Sequence, residues 1–176
     1  LRNKWASGIN NDLILYEILL RDFGEGKSFE AVVQKIDYLQ GLGINAIELM
    51  PVNEFDGNSS WGYNPSFHMA VDKIYGSPTK FKELVNECHK RGIAVILDVV
   101  YNHATGQNPY FRLWNTENNS YVGSPTTQNP FFQESPVSES YLNYFNDMNH
   151  ESDYVRDYVR RVNNFLINEY HLDGFR

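Results

Sequence analysis

Only one cysteine, Cys88, occurs in the 176 residues, which excludes an internal disulfide framework and a cysteine-rich metal site. Long apolar runs are missing as well. Nothing approaches the roughly 18 to 20 residues that span a bilayer, and residues 1–10 carry no hydrophobic signal-peptide centre. No membrane partner is expected, the chain reads as soluble, and a cytoplasmic, periplasmic or secreted location stays open. Clustered positive charge is scarce. There are 15 Lys and Arg against 22 Asp and Glu, a formal net charge of −7, and the one tight basic group is Arg156, Arg160 and Arg161 on a single helical stretch. A phosphate-binding surface needs more than that, so nucleic acid is not an expected partner.

Signatures of several catalytic classes are absent too. The glycines of Arg21-Asp-Phe-Gly-Glu-Gly26 do not form a dinucleotide fingerprint, and no organic cofactor is expected. His68, His89, His150 and His171 lack zinc-site spacing, and neither a G-x-S-x-G elbow nor a cysteine beside a plausible base supplies an acyl-transfer nucleophile. What the chain has in excess is aromatic side chains, 12 Tyr, 11 Phe and 3 Trp, in an otherwise globular balance of 41% hydrophobic and 21% charged residues. Such a balance supports a buried core.

Four segments read as strands: 13–20 (LILYEILL), 44–51 (INAIELMP), 93–100 (IAVILDVV) and 172–176 (LDGFR). The second and third are near-continuous apolar runs, as strands buried on both faces of a parallel sheet require, and alternating polar patterns are absent. Three helical stripes lie between them. Phe29, Val32, Val33, Ile36 and Leu39 form one, with Ser28 as cap; a second starts at Ser77-Pro78 and ends at Gly92; a third spans about 153–170. The segments LQGLGINAIEL, CHKRGIAVILD and NEYHLDGFR share one plan of helix end, one-residue break and strand, a weak repeat of the βα unit.

Strand–helix alternation leaves two architectures, an open doubly wound sheet or a closed (β/α)8 TIM barrel. Long loops after strands (51–77 and 101–152), short ones after helices and the missing glycine fingerprint favour the barrel, with chemistry at the C-terminal strand ends. The expected fold is therefore α/β, a partial barrel of three βα units and the start of a fourth strand. Residues 1–103 form its first part, 104–152 a loop-rich inserted subdomain, and 153–176 the third barrel helix and the start of the fourth strand. A full barrel takes about 250 residues, so the expectation is the N-terminal half of a larger catalytic domain, with the remainder of that domain as its partner.

Three groups of residues could carry chemistry. Asp98-Val-Val-Tyr-Asn-His103 closes the third strand, where a carboxylate, an amide and an imidazole can face the barrel mouth or satisfy buried backbone groups. Trp61-Gly-Tyr-Asn-Pro65 offers the flat faces of Trp61 and Tyr63 on a turn stiffened by proline, suited to a sugar ring or to packing its own loop. Arg176, in Asp173-Gly-Phe-Arg176, could hold a neighbouring carboxylate ionised or be a solvated terminal arginine. Glu17 and Glu48 lie in strands and have no assigned role.

Taken together and in this order, these motifs closely resemble the α-amylase family (glycoside hydrolase family 13). Residues 13–23 look like its first barrel strand, in the style of branching-enzyme, isoamylase and pullulanase-like members. Residues 47–52 with 61–65 look like its second strand and loop, 98–103 like its first signature region, and 173–176 like the start of the next. The resemblance implies a retaining glycosidase or transglycosylase acting on starch, glycogen or maltooligosaccharides. Tyr63 would stack on the sugar, with Trp61 beside it in the substrate-binding loop, and His103 would bond one of its hydroxyls. Asp98 would support Arg176, and Arg176 would stand two positions before the nucleophile. Asn102 would be a ligand of a structural calcium ion. The nucleophile and general acid of the family pattern fall beyond Arg176, so these 176 residues alone are expected to be inactive. A non-catalytic carbohydrate-binding or partner-binding scaffold of the same fold is the alternative.

Overall fold

The structure, a computed structural model, describes residues 12–117, 121–134 and 145–176. Parts of the inserted segment expected at 104–152, including Tyr144 at the start of YFNDMNHES, lie outside the described residues. The elements are β1 (Leu15–Ile18), α1 (Phe29–Val33), α2 (Ile36–Gly41), β2 (Ala46–Leu49), β3 (Asn53–Phe55), β4 (Pro65–Val71), α3 (Pro78–Lys90), β5 (Ala94–Leu97), β6 (His103–Ala104), α4 (Pro109–Leu113), β7 (Asn146–Asp147), α5 (Asp153–Tyr170) and β8 (Gly174–Phe175). They gather into two compact units. One lies within Leu1–Val52, Val71–Val99 and Phe165–Arg176, the other within Asn53–Ala70 and Val100–Asn164.

The first unit is built on a four-stranded sheet in the order β1-β2-β5-β8, with every pair parallel. The order follows the chain without reversal. A doubly wound sheet reverses at its switch point, so this is the wall of a (β/α)8 barrel. Ala46, Ile47 and Leu49 of β2 are fully buried, as the continuous apolar runs require. Ser28 Oγ accepts from the Ala31 amide and Ser77 Oγ from the Lys80 amide, each at 3.3 Å, so both expected caps form. The three helix ends of the repeat are left-handed residues: Gly43 (φ 79°), Gly92 (φ 72°) and His171 (φ 58°). Phe29 stacks on Phe81 at 4.9 Å and Phe81 meets Tyr170 at 4.7 Å, tying α1, α3 and the end of α5 together. Cys88 is buried and its thiol is pushed up to about 12 by desolvation, so it is an inert core group.

Two expectations need correction here. The first helical stripe is two helices, α1 and α2, because the Lys35 amide bonds Val32 in a tighter turn at 2.9 Å while Phe29, Val32, Ile36 and Leu39 all stay buried. The strands are also shorter than expected: β1, β2 and β5 have four residues each instead of eight and β8 two instead of five, and Leu13, Ile14 and Leu15 are exposed.

The second unit contains strands in the segments expected to be loops. β4 alternates, but inversely: Ser66 and His68 are buried while Phe67 and Met69 face outward. The unit's own core is aromatic. Ala104, Phe111, Phe131, Phe132, Met148 and Val155 cluster together, and Tyr110 stacks on Phe131 at 4.0 Å. Here the aromatic excess of the composition finds its place, since flat rings fill space between short elements that supply little regular backbone.

A neutral histidine pins this unit. His68 Nε2 lies 2.9 Å from the Val100 carbonyl, which can only accept, so Nε2 carries the proton and Nδ1 accepts from the Tyr158 hydroxyl at 3.0 Å. Desolvation drives the His68 pKa down to about 4. An unfolded chain takes up that proton near its ordinary value of about 6.5. Stability is therefore unaffected above that pH and falls by up to about 3 kcal/mol as pH drops from there through the folded-state value. Denaturant midpoints measured near pH 7 and near pH 4.5 should fall more for the native chain than for His68→Gln, which cannot protonate. Equal falls would mean that the ring is not held neutral.

Candidate active site

The parallel register determines which side chains meet at the strand ends. Ile96 of β5 is paired with Gly174 of β8. Side chains alternate in direction along a strand, so two residues further on Asp98 and Arg176 project from the same face of the sheet. The ladder continues into both residues: the Arg176 amide donates to Leu97 at 3.0 Å, the Val99 amide to Arg176 at 3.0 Å and the Asp98 amide to Leu49 at 2.9 Å. With the backbones so held, Arg176 Nη1 donates to Asp98 Oδ2 at 2.7 Å. The Asp98 side chain is 3% exposed and that of Arg176 60%, so a buried anion is matched by a cation whose other side is open. Such a charge-assisted bond is among the stronger polar contacts available.

Glu48, left without a role on sequence grounds, joins this pair. Its Oε1 lies 3.6 Å from Arg176 Nε. Burial raises its pKa, against the lowering effect of Arg176, with Asp98 and Glu17 adding to the rise. The apolar residues around Glu48 in its strand gave no sign that its side chain would reach the arginine.

Residues 61–65 and His103 belong to the second unit. Gly62 takes a left-handed φ of 93°, its amide bonding Ser60 Oγ at 2.9 Å, while Asn64 Nδ2 donates to the Asp56 carbonyl at 2.9 Å. The turn leaves Trp61 58% exposed and Tyr63 half-buried. His103, 8% exposed, brings its Nε2 within 2.7 Å of the Tyr63 carbonyl. A carbonyl only accepts, so Nε2–H is the donor, and Asn102 Nδ2 meets Nδ1 at 3.2 Å. The imidazole is thus a strut beneath the aromatic turn, with the Phe145 ring 5.4 Å from its own. Three further buried polar residues, invisible as site residues in the sequence, complete the strut. The Thr105 amide bonds the Pro65 carbonyl at 2.9 Å, Thr105 Oγ1 meets Ser66 Oγ at 2.6 Å, and Asn108 Nδ2 donates to the Ser66 carbonyl at 3.0 Å.

The structure thus brings together Asp98, Arg176 and Glu48 in one unit, and Tyr63, His103 and Asn102 in the other, with Trp61 on the exposed side of the same turn. Calcium takes roughly six to eight oxygens. Asn102 is exposed and offers one amide oxygen, and among the described residues no group of three or more His, Cys, Asp or Glu side chains converges to hold an ion.

Parallel strands that follow the chain in order, two of them carrying a buried carboxylate–arginine pair at their C-terminal ends, define the wall of a (β/α)8 barrel with a candidate site at its strand ends. The family described as "Alpha amylase, catalytic domain" matches residues 21–176. A malto-oligosyltrehalose trehalohydrolase of Saccharolobus solfataricus is 39% identical over 166 residues, 94% of this chain and 27% of that protein. The chloroplastic isoamylase SU1 of Zea mays is 33% identical over 198 residues, 94% of this chain and 24% of its own length. The crystal structure of an Anoxybacillus α-amylase superposes with a TM-score of 0.78 at 24% identity, covering 94% of this chain and 40% of that one; at that identity it speaks for the fold alone. The chain belongs to the α-amylase family, and it spans about a quarter of the length of the curated relatives it matches.

If His103 is the strut of the aromatic turn, His103→Ala removes the donor to the Tyr63 carbonyl, a bond of about 1 kcal/mol. Amide exchange at Gly62 and Tyr63 should then accelerate by roughly fivefold to tenfold, while exchange in β2 and β5 stays as it was. Unchanged exchange at the turn would show that other contacts hold it.

Proposed function

We propose that these residues are the substrate-facing part of a retaining glycosidase or transglycosylase that acts on α-glucan chains. The observation that carries the reading is the 2.7 Å pair between Arg176 and Asp98 at the ends of adjacent parallel strands. An arginine so anchored has one flank tied to a buried anion and the other open to solvent. It can hold an acidic group two residues beyond it in the ionised state by direct charge pairing. A retaining reaction requires such an ionised carboxylate to attack the anomeric carbon, and a second one, about 5 to 5.5 Å away, to protonate the leaving oxygen.

In this reading Tyr63 and Trp61 offer aromatic faces to the C–H face of a glucose unit, and His103 keeps the turn in place from beneath. The relatives named for malto-oligosyltrehalose and for isoamylase action support a maltooligosaccharide or branched-glucan substrate. A neutral polyhydroxyl ligand also suits a chain of net charge −7. Calcium at Asn102 belongs to the reading only as a proposal, and the reaction as described runs on protein groups alone.

Neither the nucleophile nor the acid of the family pattern lies within the 176 residues, so the proposal includes their inactivity in isolation. A protein carrying these residues within a complete catalytic domain should release reducing sugar from maltooligosaccharide or amylopectin, and the 176-residue chain should not. In the complete protein Tyr63→Ala should lower kcat/KM by about 10-fold to 100-fold, the loss of one stacking contact and the order it brings. Binding of maltooligosaccharide without any turnover by the complete protein would favour the non-catalytic scaffold instead.

A further inference from the structure

Glu48 sits where the barrel's strand register leaves little choice. It is paired with Ile96, and Ile96 with Gly174, so Glu48 occupies the face of the sheet from which Asp98 and Arg176 project one step further on. In β2 its neighbours Ala46, Ile47 and Leu49 are completely buried, and the Glu48 side chain is only 13% exposed. A carboxylate is rarely kept in such a place without a partner, and the cation it reaches is Arg176.

The geometry around the guanidinium is two-sided. Asp98 takes a hydrogen bond on Nη1 at 2.7 Å, and Glu48 Oε1 stands 3.6 Å from Nε. The first contact is a direct bond. The second is too long for one and acts through charge. A guanidinium is a rigid plane. The contacts at Nη1 and near Nε lie on different edges of that plane, so the two carboxylates together restrict its orientation more than either does alone. The groups that face Glu48 are Arg176 beyond β8, Asp98 beyond β5 and Glu17, its register partner on β1. Arg176 is the one basic group among them, and its attraction opposes the rise in the Glu48 pKa that burial and the two acidic neighbours cause.

We propose that Glu48 is a positioning residue, which together with Asp98 holds the plane of Arg176 from two sides and so sets the direction in which Arg176 meets the reacting carboxylate. The inference rests on the role given to Arg176 in the proposed function, and two measurements separate their failures. The first needs no turnover. In the 176-residue chain labelled with 15N, the Arg176 Nε–H resonance should move as pH is lowered, and Glu48→Gln should remove the part of that movement due to Glu48 while leaving the part due to Asp98. A pH response identical in both proteins would overturn the pairing.

The second measurement uses a protein with the complete catalytic domain. Glu48→Gln, which keeps the shape and loses the charge, should lower kcat about tenfold with KM within about twofold, as expected for coupled neighbours. It should also displace the acid limb of the pH profile by about one unit. Glu48→Asp should restore part of the rate, and thermal unfolding of Glu48→Gln should stay close to native. Wild-type kcat and pH profile in Glu48→Gln would overturn the proposal. Absence of turnover in the unmutated complete protein would instead overturn the functional reading and leave the resonance shift to decide the pairing.

Discussion

A guanidinium at the end of one parallel strand meets a carboxylate at the end of its neighbour only if the two strands share one register. That register, with Ile96 opposite Gly174, is the constraint on which the candidate site depends. A slip by a single residue would send Asp98 to one face and Arg176 to the other. The register is itself held by burial: Leu49 and Leu97 are completely enclosed and Leu172 nearly so, and none could exchange faces without exposing apolar surface. Hydrophobic burial thus sets the strand positions, and strand positions set the electrostatics at their ends.

The second unit solves a different problem. Apart from β4 its strands are short, β3 of three residues and β6 and β7 of two each, so backbone ladders contribute little order there. Polar side chains do the ordering instead. His68 joins β4 to the carbonyl of Val100 and the hydroxyl of Tyr158, His103 supports the turn at Tyr63, and Asn108 and Thr105 fasten Ser66. Each is a buried group with its partner in reach, the condition under which a buried polar atom costs little. Aromatic packing around Phe131 and Tyr110 closes the unit.

Much of this was legible in advance, and the boundary between legible and illegible is physical. The strands at 44–51 and 93–100 announced themselves because burial on both faces demands a continuous apolar run. Ser28, Ser77 and Gly92 announced helix ends because capping and left-handed geometry admit few residue types. β4 was hidden because its sequence pattern is inverted: the polar Ser66 and His68 are inside and the apolar Phe67 and Met69 outside, which reads as no pattern at all. The break between α1 and α2 was hidden because a tighter turn at Lys35 preserves the apolar stripe. Within the site, Asp98 and Arg176 stood out as charged residues ending apolar strands. Glu48 did not stand out, since a lone carboxylate in a strand has several equivalent explanations until a cation is found beside it.

By itself the order of residues determined the alternation of strands and helices and pointed to the family. These depend on periodicity and on local motifs, which are properties of neighbours along the chain. Only the tertiary structure decided that Glu48 joins Asp98 beside Arg176, that His103 donates to the Tyr63 carbonyl and that His68 is neutral. The two hydrogen bonds join groups 40 and 78 residues apart in the chain. Their protonation and pairing are set by the solvent and charge that packing brings around them, and linear order does not carry that information.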